Sequence, residues 1–323
     1  MRRLGLLILV SVVLMGFLQG CSEEVSARID EVFYLRHKGA DMPVYVHGNS
    51  DANTYILVLH GAGSFGLSFR DGEFTEILEE KYVMVYWDQR GQGMAQGRYE
   101  NPDTAGSLID LMVEDVVVLT ALLKERYGND IDLFLMGHSW GGLLGTTVLL
   151  EEGMQEEYTG WISIAGAHDL PLAASSRRGL MLSIASEHIG LEIMVEEWQA
   201  LRDRVEMLDA ESKEDYDRTL ELAMETIQLL YASGTVDRAV SNEKIYRTLI
   251  DNNPVTWQVS NFFNRPIDAA LDIDYQVTDE QLNTITLPVL MMYGKYDVSV
   301  PPAVGLDAFV NMTRADRKLV FFN

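Results

Sequence analysis

Two hydrophobic periods run along the chain. "EVFYLRH" (31–37) and "MPVYVHG" (42–48), parted by the turn-like "KGAD", predict an opening hairpin. The continuous apolar runs "TYILVLH" (54–60) and "YVMVYWD" (82–88) predict strands buried on both faces. In "SLIDLMVEDVVVLTALLKERYG" (107–128), Leu108, Met112, Val116, Leu119 and Leu123 fall on one helical stripe that closes at Gly128. A strand "IDLFLMG", a helix "WGGLLGTTVLLEEG" and a strand "GWISIAG" follow. This alternation predicts an α/β fold, a mostly parallel sheet covered by helices on both faces. It breaks over residues 169–286, where "LEIMVEEWQALRDRVEML" and "EDYDRTLELAMETIQLLYASG" carry helical patterns with polar faces. The sheet resumes with "LPVLMMYGKYD" (287–297) and a last strand, "RKLVFFN". The reading is a sheet domain from 31–168 and 287–323 with a helical cap, 169–286, inserted between.

Ahead of the hairpin the pattern is different. Arg2 and Arg3 precede the apolar run "LGLLILVSVVLMGFL" (4–18), too short and too early for a comfortable spanning helix, which predicts a secretory leader. The run ends in "LQGC" (18–21), which resembles the bacterial lipobox. That resemblance implies a leader of residues 1–20, lipidation of Cys21, a linker over 21–30 and an extracytoplasmic protein held on a bacterial membrane. Ser22 would favour the outer membrane. Cys21 is the chain's only cysteine, so it makes neither an internal disulfide nor a thiolate cluster.

Composition narrows the ligand. Hydrophobic residues form 47% of the 323, enough for a sizeable core. Asp and Glu number 49 against 25 Lys and Arg, a formal net charge of −24. So acidic a surface repels phosphate backbones, which argues against nucleic acid as a partner and leaves neutral or cationic small molecules or short peptides as substrates.

The chemistry centres on "GHSWGG" (137–142). A strand running into G-x-S-x-G and then a helix is a nucleophile elbow, in which Gly137 and Gly141 permit a tight turn that presents the Ser139 hydroxyl at the top of the sheet. The Trp140 N–H then lies at a helix start, where partial positive charge suits a developing oxyanion. A second donor comes from the loop after an earlier strand; "HGAG" (60–63) follows such a strand, with Ala62 as the amide.

Together "HGAG", "DQRGQG" (88–93), "GHSWGG" and "GKYDVSVP" (294–301) resemble the α/β-hydrolase fold, and the DQRG-x-G loop resembles its proline iminopeptidase branch. The resemblance implies Ser139 as nucleophile, Asp297 as the acid that orients a histidine, and cap carboxylates that bind a peptide's free α-amine. Glu187, Glu192, Glu196 and Glu197 are acids of the expected cap, and taken singly each reads first as part of a solvated helix face. The chain departs from the branch by carrying HGAG in place of HGGPG and Glu197-Trp198 in place of a Trp-Glu pair. Asp88 and Arg90 are expected to brace their loop as an internal ion pair. No metal or organic cofactor is implied.

A serine hydroxyl needs a base. The six histidines are His37 and His47 on the hairpin, His60 in the oxyanion loop, His138 inside the elbow, His168 after a strand, and His188 in the cap. The fold's order of serine, acid, histidine places the base after the last strand, and no histidine follows Asp297. The expectation is therefore that the C-terminal end is truncated and the chain as given inert, with the histidine beyond Asn323; His168, with Asp169 as its acid, is the alternative base within the chain. Two functions follow. One is an acyl-transfer serine hydrolase, a proline iminopeptidase-like aminopeptidase or a related amidase or esterase. The other is a catalytically degenerate hydrolase fold serving as a lipid-anchored binding protein.

Overall fold

The computed structural model describes residues 27–70, 73–97, 107–208, 213–237 and 275–322. Nine strands make one sheet among the described residues, in the order β1-β2-β4-β3-β6-β7-β8-β9, with the two-residue β5 paired to β2. β1 (Arg28–His37) and β2 (Ala40–Asn49) form the opening hairpin. Its turn is shorter than the sequence suggests: only Lys38 and Gly39 lie outside the strands, both at positive φ, as a two-residue hairpin turn with the sheet's twist requires. β2 runs antiparallel to β4 (Val83–Trp87). From β4 the sheet is parallel through β3 (Thr54–Leu59), β6 (Asp132–His138), β7 (Gly160–Ile164), β8 (Val289–Gly294) and β9 (Arg317–Phe322). β4 is buried throughout and β3 nearly so, which explains their unbroken apolar runs. This is the α/β-hydrolase architecture.

Described helices pack against this sheet. α1 (Glu73–Lys81) precedes β4, and β5 (Gln96–Gly97) lies after it. α2 (Leu108–Tyr127) buries the predicted stripe of Met112, Val116, Leu119 and Leu123. Ser107 and Asp110 form a reciprocal capping box at its start, and the Gly128 N–H donates to the Lys124 carbonyl at its end. α3 (Trp140–Val148) follows β6 and is buried along its whole length.

After β7 the chain leaves the sheet in α4 (Leu170–Gly190), α5 (Val195–Glu206) and α6 (Lys213–Ala232), the helical cap. Its core is separate from that of the sheet: Met181, Ile184 and Ala185 of α4 meet Trp198, Leu201 and Val205 of α5 and Leu222, Ala223 and Leu230 of α6, joined by Val298 from the turn after β8. The chain returns through a single bridge between Asp169 and Gln276, after which Val277, Leu282 and Ile285 pack into the main core beneath the sheet. The short α7 (Asp279–Leu282) and then α8 (Pro302–Asn311) flank β8. At the sheet's edge on β9, Phe321 and Phe322 are half exposed. The predicted leader and Cys21 lie outside the described residues. No helix among the described residues is long and apolar enough to cross a membrane.

Candidate active site

β6 ends at His138 and α3 begins at Trp140, so the whole reversal falls on Ser139. Its backbone sits at φ 53, ψ −117, a conformation that a residue with a Cβ avoids unless its surroundings impose it. The surroundings are specific. The Ser139 N–H donates to the Ile164 carbonyl at 3.0 Å, and the Ser139 carbonyl accepts from Gly142 at 2.9 Å and Ala167 at 3.1 Å. Gly141 is needed for close approach: a Cβ there would stand 2.0 Å from the Leu59 carbonyl oxygen. The start of α3 thus lies against the end of β3. Trp140 supplies the first N–H of that helix, one of the four that have no acceptor within it.

The loop after β3 lies against the elbow. A Cβ on Gly61 would be 3.3 Å from the Ser139 Cβ and 3.1 Å from His138 Nδ1. The peptide groups on either side of Ala62 are held. The Gly61 carbonyl accepts from His60 Nδ1 at 2.8 Å, and the Gly63 N–H donates to Gln92 Oε1, also at 2.8 Å. His60 is fully buried, and burial lowers its pKa to about 4, so it is neutral. With Nδ1 protonated, its Nε2 accepts the Gln89 N–H at 3.2 Å, while the Gln89 carboxamide donates to the His60 carbonyl at 2.9 Å.

Gln89 and Gln92 belong to "DQRGQG", and so does Asp88, whose buried carboxylate accepts from Gly66, Met94 and the Tyr45 hydroxyl. Burial pushes its pKa up to about 6. The segment braces the loop after β3, but not through an Asp88–Arg90 pair. Arg90 is fully buried and donates to both oxygens of Asp115 of α2, from Nε at 2.8 Å and Nη2 at 2.6 Å, and from Nη2 also to the His37 carbonyl. Asp88 is turned toward Gly66, Met94 and Tyr45, whereas α2 presents the buried Asp115 carboxylate to Arg90.

Asp297 lies in the turn after β8. One carboxylate oxygen accepts the N–H groups of Ser299 at 2.9 Å and Val300 at 3.0 Å; among the described residues the other oxygen takes no hydrogen bond. Burial pushes its pKa up, opposed by those two N–H groups and by the charge of Arg177.

None of the six histidines hydrogen-bonds to Ser139 or Asp297 among the described residues. His168 is buried, with Nδ1 2.9 Å from the Thr146 hydroxyl and Nε2 3.3 Å from that of Ser163, and burial lowers its pKa to about 4. Asp169, its neighbour, caps α4 by accepting the Leu172 N–H. His138 packs edge-on to Phe69, His37 binds Asp115, His47 stands 3.0 Å from Asp30, and His188 binds the Ile184 carbonyl and Thr235. Glu187, Glu192, Glu196 and Glu197 are all exposed on the cap, whereas Trp198 is buried in its core, stacked on His188.

Comparison with known proteins agrees with this geometry. The family described as serine aminopeptidase, S33, matches residues 50–323. A proline iminopeptidase of Saccharolobus solfataricus is 25% identical over 266 residues, covering 82% of this chain and 76% of the relative. Among solved structures, a proline iminopeptidase of Mycobacterium smegmatis has a TM-score of 0.59 at 17% identity, and VinJ 0.57 at 17%, each over 90% of both chains. At such identity the two structures speak for the fold.

Proposed function

The chain belongs to the serine aminopeptidase S33 family, and from that premise we propose an acyl-transfer serine hydrolase that takes short peptides or amides with a free α-amine, as a proline iminopeptidase does. The observation that carries this reading is Ser139 at φ 53 between β6 and α3, with the oxyanion loop packed against it. Ser139 Oγ attacks the substrate carbonyl, and the oxygen that becomes negative is met by the N–H groups of Trp140 and Ala62. The hydroxyl proton is to be taken by a general base, which the described residues do not place beside Ser139, and given to the leaving amine as the acyl-enzyme forms; the open second oxygen of Asp297 is suited to orient such a base. Water then adds to the acyl-enzyme, giving its proton to the same base, and the acid product leaves with Ser139 restored. Asp297 supports its part by keeping one oxygen fixed and the other open.

The preference for a cationic amine rests on charge. A net charge of −24, with exposed acids on the cap, raises the local concentration of a cation over that of an anion. We further propose that the protein lies outside the cytoplasm, held on a bacterial membrane by a lipid on Cys21, as the lipobox-like "LQGC" implies.

The test is a panel of chromogenic substrates on the full-length gene product: aminoacyl anilides including prolyl, their N-blocked counterparts, and simple acyl esters. The expected result is turnover of aminoacyl anilides at least tenfold above the N-blocked forms, the scale of one favourable ion pair in a desolvated site. Faster turnover of the blocked forms or the acyl esters would move the protein to the esterase side. No turnover of any would contradict the hydrolytic reading.

A further inference from the structure

The turn that carries Asp297 is fastened from two sides. Its own side is the sheet, where the Asp297 N–H donates to the Gly294 carbonyl at the end of β8. The other side is the cap. Arg177, in the body of α4 and buried, donates from Nε to the Val298 carbonyl at 2.9 Å and from Nη2 to the Ser299 carbonyl at 2.8 Å. These are consecutive carbonyls, and a planar guanidinium with donors in a fixed fork reaches both, which an ammonium would not. The Val298 side chain is fully buried within the cap's core, beside Met181, Ile184 and Trp198, and Tyr296 packs against the same cluster. The residues on both sides of Asp297 therefore belong to the cap's packing and not to that of the sheet, while the Asp297 carboxylate closes the turn from inside through Ser299 and Val300.

We propose that Arg177 is a positioning residue for Asp297, through which α4 of the cap sets the acid relative to Ser139. The proposal rests on the reading of Asp297 as the orienting acid. Its consequence is a coupling between substrate recognition and chemistry. A ligand that shifts α4 moves the 298–299 carbonyls, and with them the N–H groups that hold the carboxylate. A substrate that seats the cap correctly is the one that brings the acid into register, a form of induced fit built on two hydrogen bonds and one buried valine.

The experiment uses the full-length gene product with Arg177→Met, which keeps length and apolar volume but removes both donors, and Arg177→Lys, which keeps the charge. Turnover, KM, thermal midpoint and amide hydrogen exchange at Ser299 and Val300 are measured together. In Arg177→Met, kcat is expected to fall roughly a hundredfold, short of the ~10⁴ for a lost orienting acid, with KM changed less than about threefold. Exchange at Ser299 and Val300 is expected to rise about tenfold while amides inside β8 keep their protection. Arg177→Lys should fall between. Should Arg177→Met fail to fold, Val298→Ala loosens the same turn from the cap and should show the same pairing of lower kcat with faster exchange at Val300. A parental kcat in these variants, or faster exchange spread evenly over the cap, would overturn the proposal. An inert parent protein would contradict the reading of the site itself, which is a separate outcome, because the exchange measurement does not depend on turnover.

Discussion

Ser139 holds a backbone conformation that costs on the order of 1–3 kcal/mol, and four neighbours, Ile164, Gly142, Ala167 and the Leu59 carbonyl facing Gly141, hold it there. Glycine adopts φ 53 without that strain. Ser139→Gly is therefore expected to stabilise the fold by about 1 kcal/mol, once the greater freedom of glycine in the unfolded chain is allowed for, while removing the nucleophile. Urea denaturation checks the sign, and a destabilised variant would mean that the elbow is not strained. His168 gives a second test at this scale. It is neutral in the fold, with its pKa lowered by burial to about 4, whereas in the unfolded chain it takes up a proton below about pH 6.5. Its contribution to stability is thus full above pH 6.5 and lost as pH falls toward 4. Glutamine cannot titrate. The stability gap between the parent and His168→Gln should shrink by about 2–3 kcal/mol between pH 7 and pH 4.5, and a gap independent of pH would contradict the buried neutral imidazole.

Among the elements, the loop after β3, which we propose carries the oxyanion donor, depends on its neighbour. Gln92 accepts the Gly63 N–H and so fixes the peptide next to Ala62. Gln92→Leu should lower kcat roughly tenfold with KM little changed, a smaller loss than the hundredfold or more of deleting an oxyanion donor outright. A rise in KM at constant kcat would assign Gln92 to substrate binding instead. Gln92 lies in a motif visible in the sequence, and the sharp turn at Ser139 was equally legible, because an elbow is local: strand, glycines and helix are contiguous. β3 and β4 were legible because a strand buried on both faces has to be apolar throughout. What local pattern cannot carry is a partner chosen by tertiary approach. Arg90 finds Asp115 on α2, 25 residues on, and Arg177 reaches Val298 and Ser299 across the cap, with nothing near either arginine to announce it. α8 was hidden for a related reason. Its Gly305 weakens a helical pattern, yet it lets the helix approach Tyr293, whose ring would stand 2.2 Å from a Cβ at that position.

At the scale of the whole molecule, two hydrophobic cores meet where Asp297 sits, one under the sheet and one in the cap. The described fold begins its first strand at Arg28, so a lipid on Cys21 would leave the globular part intact. Cys21→Ala is expected to release the protein from membranes into the soluble fraction with its thermal midpoint unchanged; retention on membranes would contradict lipid anchoring. All of these readings converge on a reactive serine at the elbow. The most direct measurement is to treat the full-length gene product and its Ser139→Ala variant with a fluorophosphonate probe and map the adduct by peptide mass spectrometry. The account predicts one adduct, on the peptide that contains Ser139, absent from the variant. An adduct that persists in Ser139→Ala, or a parent protein that takes up no probe, would contradict it.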